Sequence, residues 1–330
     1  MQIDFHHATT YVIARDAGFA HKEADIIAYA AQYVDDATST GTVQFDNQAV
    51  YNRISSAHKM LDTRNTQELA NHQVWLAFHF LPGNGGKKAG KNPDGSFINK
   101  IVCTPNSPVA QEMVRGVILD KDRLYGLHRL GVAMHVYADT WAHQGFAGVL
   151  HDINEVDDAN ETSDSGLFDG GIGRFLRGVL DDAIPPLGHG RANVFPDMPF
   201  LQWRYKNGAK EIITRDNTGD FIKAADHMCK AMRRYRLGNP DAKVTGLTAK
   251  TKAQIKKLFL EIKIKSGDER HQHWLKAIRG GAFEAFGRAN ISSYFPRGSK
   301  SWKHAALGTS HDLPVHRYQP KFLKSDWKLF

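Results

Sequence analysis

The chain has 330 residues, of which 42% are hydrophobic, 24% charged and 10% aromatic, the composition of a globular protein with ample core rather than a disordered, collagenous or coiled-coil one. No stretch approaches 18 uninterrupted apolar residues, and the opening Met-Gln-Ile-Asp-Phe-His-His has neither the basic start nor the apolar run of a secretory signal. The net charge of +8 is unevenly spread: residues 200–330 carry 27 Lys and Arg against 11 Asp and Glu, a balance of +16, while residues 1–199 carry 16 against 24, a balance of −8.

Taken in chain order, the hydrophobic spacing is mostly helical. Residues 9–17 predict a short helix broken at Gly18. In residues 21–36, Ala24, Ile27, Ala28, Ala31 and Val34 recur at steps of three and four. Residues 67–81 predict a third helix, stopped by Pro82 and Gly83. The clearest pattern covers 121–146, where Leu124, Leu127, Leu130, Gly131, Met134, Ala138 and Trp141 keep helical spacing. Further helices are expected over 171–183, 222–236, 250–264 and 269–286. The best strand candidate is 97–104. Two long loops, 82–108 and 151–173, are rich in Gly, Asn, Asp, Lys and Ser, and the last thirty residues show no clear period. The expected fold is therefore all-α. It comprises a helical core over 1–205 and a basic helical extension over 206–330, packed on that core and ending in an irregular tail.

Several motifs fall short. Gly85-Gly86-Lys87-Lys88-Ala89-Gly90-Lys91-Asn92 nearly matches a phosphate-cradling P-loop, but Asn92 replaces the hydroxyl residue, and neither a preceding strand nor a following helix is expected. His151-Asp152 and His311-Asp312 are isolated pairs, and no GxSxG nucleophile elbow occurs. Cys103 and Cys229 have no zinc-ribbon spacing and cannot form a disulfide framework, so a reduced cytoplasmic protein is expected, or one exported without a signal peptide.

One constellation survives. His135, Asp139 and His143 form H-x3-D-x3-H on the best-predicted helix. Residues four apart are rotated by only about 40°, so the three share one face, and the surrounding Val132, Met134, Ala138 and Trp141 place that face indoors. Buried imidazoles and carboxylates need partners, and zinc or a neighbouring divalent ion supplies one. Other ligand types lie at expected helix ends or in loops: Asp4 and His6, then Asp35 and Asp36, His79 after an apolar run, His151 with Glu155, His189 between two glycines, and Asp197 after Pro196.

In this order and spacing, roughly residues 4–205 resemble the zinc-dependent phospholipase C and single-strand nuclease superfamily, and are similar to an uncharacterised bacterial branch of it. The strongest element is Leu130-Gly-Val-Ala-Met-His135-Val-Tyr-Ala-Asp139-Thr-Trp-Ala-His143. The position of the last His is closer to that in glycosylphosphatidylinositol-specific phospholipases than in secreted bacterial enzymes. The resemblance implies a phospholipase C-like helical bundle around two or three Zn²⁺ ions. Asp36, His79, His135 and Asp139 would hold the first. Asp139 would bridge to a second, completed by His6 and Asp4. A third would take His143 with His189 and Asp197, or with His151 and Glu155. Secreted members use a free N-terminal amine as a ligand. Here three residues precede Asp4, so either a side chain takes its place or the second site is incomplete.

Such a cluster implies hydrolysis of a phosphoric ester by a metal-bound hydroxide, with Asp36 or Asp35 orienting the water or taking its proton. His128, seven residues before His135, fits either support behind the ligands or simple packing. Phe5, Phe80, Trp141, Phe146 and Phe195 would line a pocket or fill the core. Phospholipid headgroup cleavage is favoured, with a single-strand nuclease and a metal-stabilised binding module as alternatives. The basic region, including Arg233-Arg234-Tyr235-Arg236 and Lys256-Lys257, would dock on an anionic membrane surface or nucleic acid.

Overall fold

The computed structural model describes residues 1–58, 72–163, 165, 167, 188, 192 and 194–320. A wide π-helical turn, Asp4–Thr9, runs into α1 (Thr10–Asp16), and α2 (His21–Asp36) follows a turn at Gly18, whose φ is +95°. A hairpin of β1 (Gly41–Gln44) and β2 (Val50–Arg53) leads to α3 (His72–His79, π-type), α4 (Phe97–Ile101), α5 (Pro108–Leu119) and α6 (Gly126–Ala142). Then come β3 (Val156–Glu161), β4 (Gln202–Asn207) and β5 (Ile212–Asp216), followed by α7 (Asn217–Leu237), α8 (Ala249–Glu261), α9 (Gly267–Gly280) and α10 (Trp302–Leu307).

The all-α expectation is overturned. Among the described residues five strands form two small antiparallel sheets, β1–β2 and β3–β4–β5, so the fold is a helical body with mixed α/β character. The second sheet has a readable cause. In β4 the large apolar Trp203 and Tyr205 alternate with Gln202, Arg204 and Lys206, and the apolar pair is buried, as a half-buried strand requires. The 97–104 strand is also wrong, since 97–101 form α4. Helix α5, led by Pro108 with the Ser107 hydroxyl accepting from the Ala110 amide, is a helix that the sequence reading did not assign. The helix expected over 171–183 lies outside the described residues.

Helix α6 is the axis of the body, packed by α2, α5 and α7. Its tightest crossing is on α2, where a Cβ at Gly131 would collide with the Ile27 carbonyl oxygen and the Ala30 methyl. The largest hydrophobic cluster joins Phe5, Val12, Ile27, Met134 and Trp141 to Phe221, Met228, Phe259 and Trp274. Among the described residues, helices α7, α8 and α9 therefore contribute to the same core as the N-terminal helices. The proposed boundary at 205 falls inside β4. No helix among the described residues is long and apolar enough to cross a membrane.

Candidate metal centre

The close α2–α6 crossing sets up the site. His135, Asp139 and His143 follow Gly131 at four-residue steps along α6, and all three are buried, at 0%, 1% and 4% exposure. On α2 the facing stripe is Ile27, Ala31 and Asp35, again four apart. The backbones are near enough for His135 Nδ1 to donate to the Ala31 carbonyl at 2.8 Å. A carbonyl has no proton to give, so Nδ1 carries the hydrogen and Nε2 presents a lone pair. His79 is fixed by the same device, with Nε2 donating to the Ser56 carbonyl at 2.9 Å. His143 Nδ1 donates to the His79 carbonyl at 2.7 Å, and the Phe80 ring stacks on its imidazole.

The freed nitrogens converge. His135 Nε2 and His79 Nδ1 lie 3.3 Å apart, a repulsive meeting of two acceptors unless a cation or proton is shared between them. One ligand atom each from Asp35, His79 and His135 falls within 4.8 Å of the others, and so does one each from His6, His135 and Asp139. Asp139 stands between the groups. Its Oδ2 is 3.2 Å from His135 Nε2 and 3.5 Å from His79 Nδ1, while its Oδ1 is 3.2 Å from His6 Nε2. His6 is fully buried, stacked on His135 with ring centroids 3.8 Å apart, and neither of its nitrogens has a hydrogen-bond partner. Buried polar atoms without partners are costly, and here they belong to an imidazole aimed at a carboxylate. This donor set, nitrogen and oxygen without sulfur, fits a divalent ion of the zinc type.

The electrostatics bear on that fit from both sides: burial opposes charge on His79, but Asp139 and Asp35 raise its pKa. Burial alone would raise the Asp139 pKa, but His143, the Met1 ammonium, His135 and His6 hold it well below the usual carboxylate range. Burial lowers His6 and His135 to about 4, leaving both neutral and able to bind a metal at pH 7. Burial also opposes the charge on the Met1 amine. Asp139 at 2.8 Å and Asp197 at 3.1 Å nevertheless raise its pKa to about 11.

The sequence candidates divide as follows. His6, His79, His135 and Asp139 come together. His143 joins them at the side, its Nε2 3.7 Å from Asp197 Oδ1. Asp35, not Asp36, faces the imidazoles, with Oδ1 3.8 Å from both His79 Nδ1 and His135 Nε2. Asp36 is turned to Tyr294, whose hydroxyl donates to it at 2.6 Å, and to Gln32. One residue along a helix is a 100° rotation, enough to move a side chain off the shared face. Asp4 is corrected too. The Arg270 guanidinium holds it through Nε at 2.7 Å and Nη2 at 3.1 Å, so its oxygens are committed to an ion pair. His189 lies outside the described residues. His151 is exposed, its Nδ1 accepting from the Ile153 amide as a helix cap. Burial lowers His128 to about 4, with the Lys300 backbone as its hydrogen-bond partner, so it packs rather than supports the ligands. Phe5, Phe146 and Phe195 are buried core residues.

Sequence reasoning missed two parts of this arrangement. The Met1 ammonium is ion-paired to Asp139 at 2.8 Å, which no residue pattern announces. Arg215, buried on β5, sends its guanidinium to the carbonyls of Trp141, Ala142 and Gln144, closing the C-terminal end of α6 just past Asp139. A lone arginine seventy residues downstream carries no local signal of that role.

The chain belongs to a family of unknown function, DUF6765, whose profile matches residues 1–330. Comparison with curated proteins and with solved structures finds no match.

Proposed function

We propose that this chain is a metal-dependent hydrolase of phosphoric esters, with phospholipid headgroups as the favoured substrate. The observation that carries the reading is the convergence of His6, Asp35, His79, His135 and Asp139, with imidazole protons committed outward to backbone carbonyls at His79 and His135. His79, His135 and Asp139 Oδ2 would hold one ion, with Asp35 beside it. Asp139 Oδ1 and His6, with Asp197 and His143 beside them, would hold a second. Divalent ions in such positions acidify a coordinated water and neutralise charge on the phosphoryl oxygens.

The chain's own groups would do the rest. Asp35 is the one carboxylate of the cluster with a partly open side chain, 32% exposed. Desolvation raises its pKa, opposed by His6 and His79, and a carboxylate of raised basicity beside the imidazoles is placed to take a proton from the attacking water. Asp139, held ionised at the centre, keeps the ligand atoms in register. The Phe80 ring covers His143 and excludes water from that side.

The lipid preference is supported by a cavity of about 520 Å³ between the end of α2, the β1–β2 hairpin, α3 and α10. Tyr33, Val43, Tyr51, Phe78 and Trp302 make it largely apolar. Ala37 of its lining is two residues past Asp35, and Phe78 directly precedes His79. We further propose a reducing, cytoplasmic setting, supported by two buried free thiols at Cys103 and Cys229.

Elemental analysis of the purified protein, followed by assays on phosphatidylcholine and phosphatidylethanolamine liposomes, tests the reading. About two zinc equivalents and release of phosphorylated headgroups, abolished by a chelator, are expected. Chelator-sensitive cleavage of single-stranded DNA without lipid hydrolysis would move the activity to nucleic acid. Bound metal with neither activity would leave a metal-stabilised binding module, and absence of metal would overturn the proposal.

A further inference from the structure

The Gly- and Lys-rich segment that fails as a P-loop has a place in the structure. Asn84, Gly85 and Gly86 all take positive φ, at 50°, 53° and 76°. The Asn84 side-chain amide donates to the carbonyls of Lys88 at 2.9 Å and Lys91 at 3.0 Å, folding the loop on itself. Lys88 is thereby presented at the edge of a cavity of about 820 Å³ between α5, α6 and α7. Its volume falls in the range of small-ligand sites.

Five fixed cations line this cavity, from four separate segments: Lys88 of the loop, Arg115 of α5, Lys230 and Arg234 of α7, and Lys243 beyond it. The facing acids are fewer. Glu112 and Asp241 belong to the lining, and Asp226 pairs with Lys230 at 2.8 Å. Arg115 and Asp241 pair at 2.6 Å with both side chains largely exposed, a contact of little net strength that a ligand oxygen can replace. Arg234 is oriented by donating to the Ala242 carbonyl at 3.0 Å. Lys88 and Lys243 make no ion pair among the described residues.

The inner wall is polar and braced. Tyr137 donates to Asn106 Oδ1 at 2.6 Å, and His227 Nδ1 lies 3.4 Å from the same hydroxyl. Asn106 holds a left-handed φ of 50°, its amide donating to Thr140 Oγ1. Strained polar positions of this kind persist where surrounding contacts over-determine them, and they cluster at ligand sites. Tyr137 is two residues from both His135 and Asp139, about 200° round the helix, so the cavity lies across α6 from the metal centre.

We propose that this cavity is a second binding site, for a small anion carrying more than one phosphate charge, in the size range of a nucleoside polyphosphate. Cations converging from four segments match a compact polyanion, whereas a polymer would need them strung along one open face. Arginine forks on two sides favour phosphoryl oxygens over a single carboxylate. The site is independent of the hydrolase reading, because none of its residues belongs to the metal cluster.

Calorimetric titration of chelator-treated full-length protein with pyrophosphate and with ATP tests it, alongside the Lys88→Glu/Lys243→Glu double variant. Both substitutions are at solvent-facing side chains, and circular dichroism verifies the fold. Binding that survives chelation and weakens about tenfold or more in the double variant is expected. The proposal is overturned if neither probe binds, if chelation alone removes binding, or if the double variant binds as before. Binding of single-stranded DNA or of phosphatidylglycerol vesicles, without binding of the small probes, equally overturns it.

Discussion

The two faces of α6 carry similar spacings and opposite outcomes. On one face His135, Asp139 and His143 stand four residues apart, and on the other Tyr137 and Trp141 do the same. What differs is the neighbour. Against α2, small residues at Ala30, Ala31 and Gly131 let the backbones approach, so that the Ala31 carbonyl reaches the His135 imidazole proton and ligand atoms of Asp35, His79 and His135 meet within 4.8 Å. Against α5 and α7 the meeting side chains are long, and a cavity large enough for a metabolite remains. A helix thus offers a row of chemistry, and the distance of the opposing backbone decides what the row can grip.

The comparison breaks most sharply at Asp139. Asp139→Ala removes the carboxylate that stands between the two candidate ligand groups, and metal content and phosphoester hydrolysis are expected to fall together. The loss should exceed the roughly 10–100-fold typical of outer-shell changes, while pyrophosphate binding in the cavity across the helix is kept. Retention of full metal content by the folded variant would refute the assignment. A paired test comes next. Asp35→Asn should lower hydrolysis by about 10-fold or more. Asp36→Asn should leave turnover near the parent value and cost only about 1 kcal/mol through the Tyr294 hydrogen bond.

Acid should loosen the metal-free protein. His271 has its pKa lowered from 6.5 to about 4 by burial, with Arg279 adding to the effect. Between those values the unfolded chain binds more protons than the native one, so stability declines as pH falls from 6.5 towards 4 and levels off below. Urea midpoints at pH 7, 5.5 and 4.5 should decrease in that order. Gly131→Val attacks the close crossing itself. Overpacking of this kind costs about 1–3 kcal/mol, and the thermal midpoint should drop with metal affinity, since the Ala31–His135 contact is forced apart. The smallest effect is expected on the other face, where Tyr137→Phe deletes one hydrogen bond to Asn106, worth about 1 kcal/mol by denaturant titration, with metal content unchanged.

How far the sequence could be read depends on how local each signal is. The shared face of His135, Asp139 and His143 was legible because one continuous apolar helix carries them, and spacing alone puts them on one face. Asp35 and Asp36 differ by a single step, and choosing between them needs the phase of α2 against α6. That phase was present in the stripe Ile27–Ala31, which continues to Asp35. Asp4 could not be judged, because its competitor Arg270 is 266 residues away in sequence. The alternation of Trp203 and Tyr205 with polar neighbours was a visible strand signal, outweighed by the helical patterns on either side. Residues 97–101 contain Phe and Ile, which favour strands in general, yet Ser96 precedes them as a helix N-cap would.

Arg215 joins the three-stranded sheet to the last turn of α6 by holding the carbonyls of Trp141, Ala142 and Gln144. Helices fray from their ends, and amides released in such local openings exchange with solvent. Here the end that would fray lies within one turn of Asp139 and His143. Loosening of the sheet would therefore be felt as slack in the spacing of Asp139 and His143, and the rigidity of the candidate metal centre is set in part by a strand that contributes no atom to it.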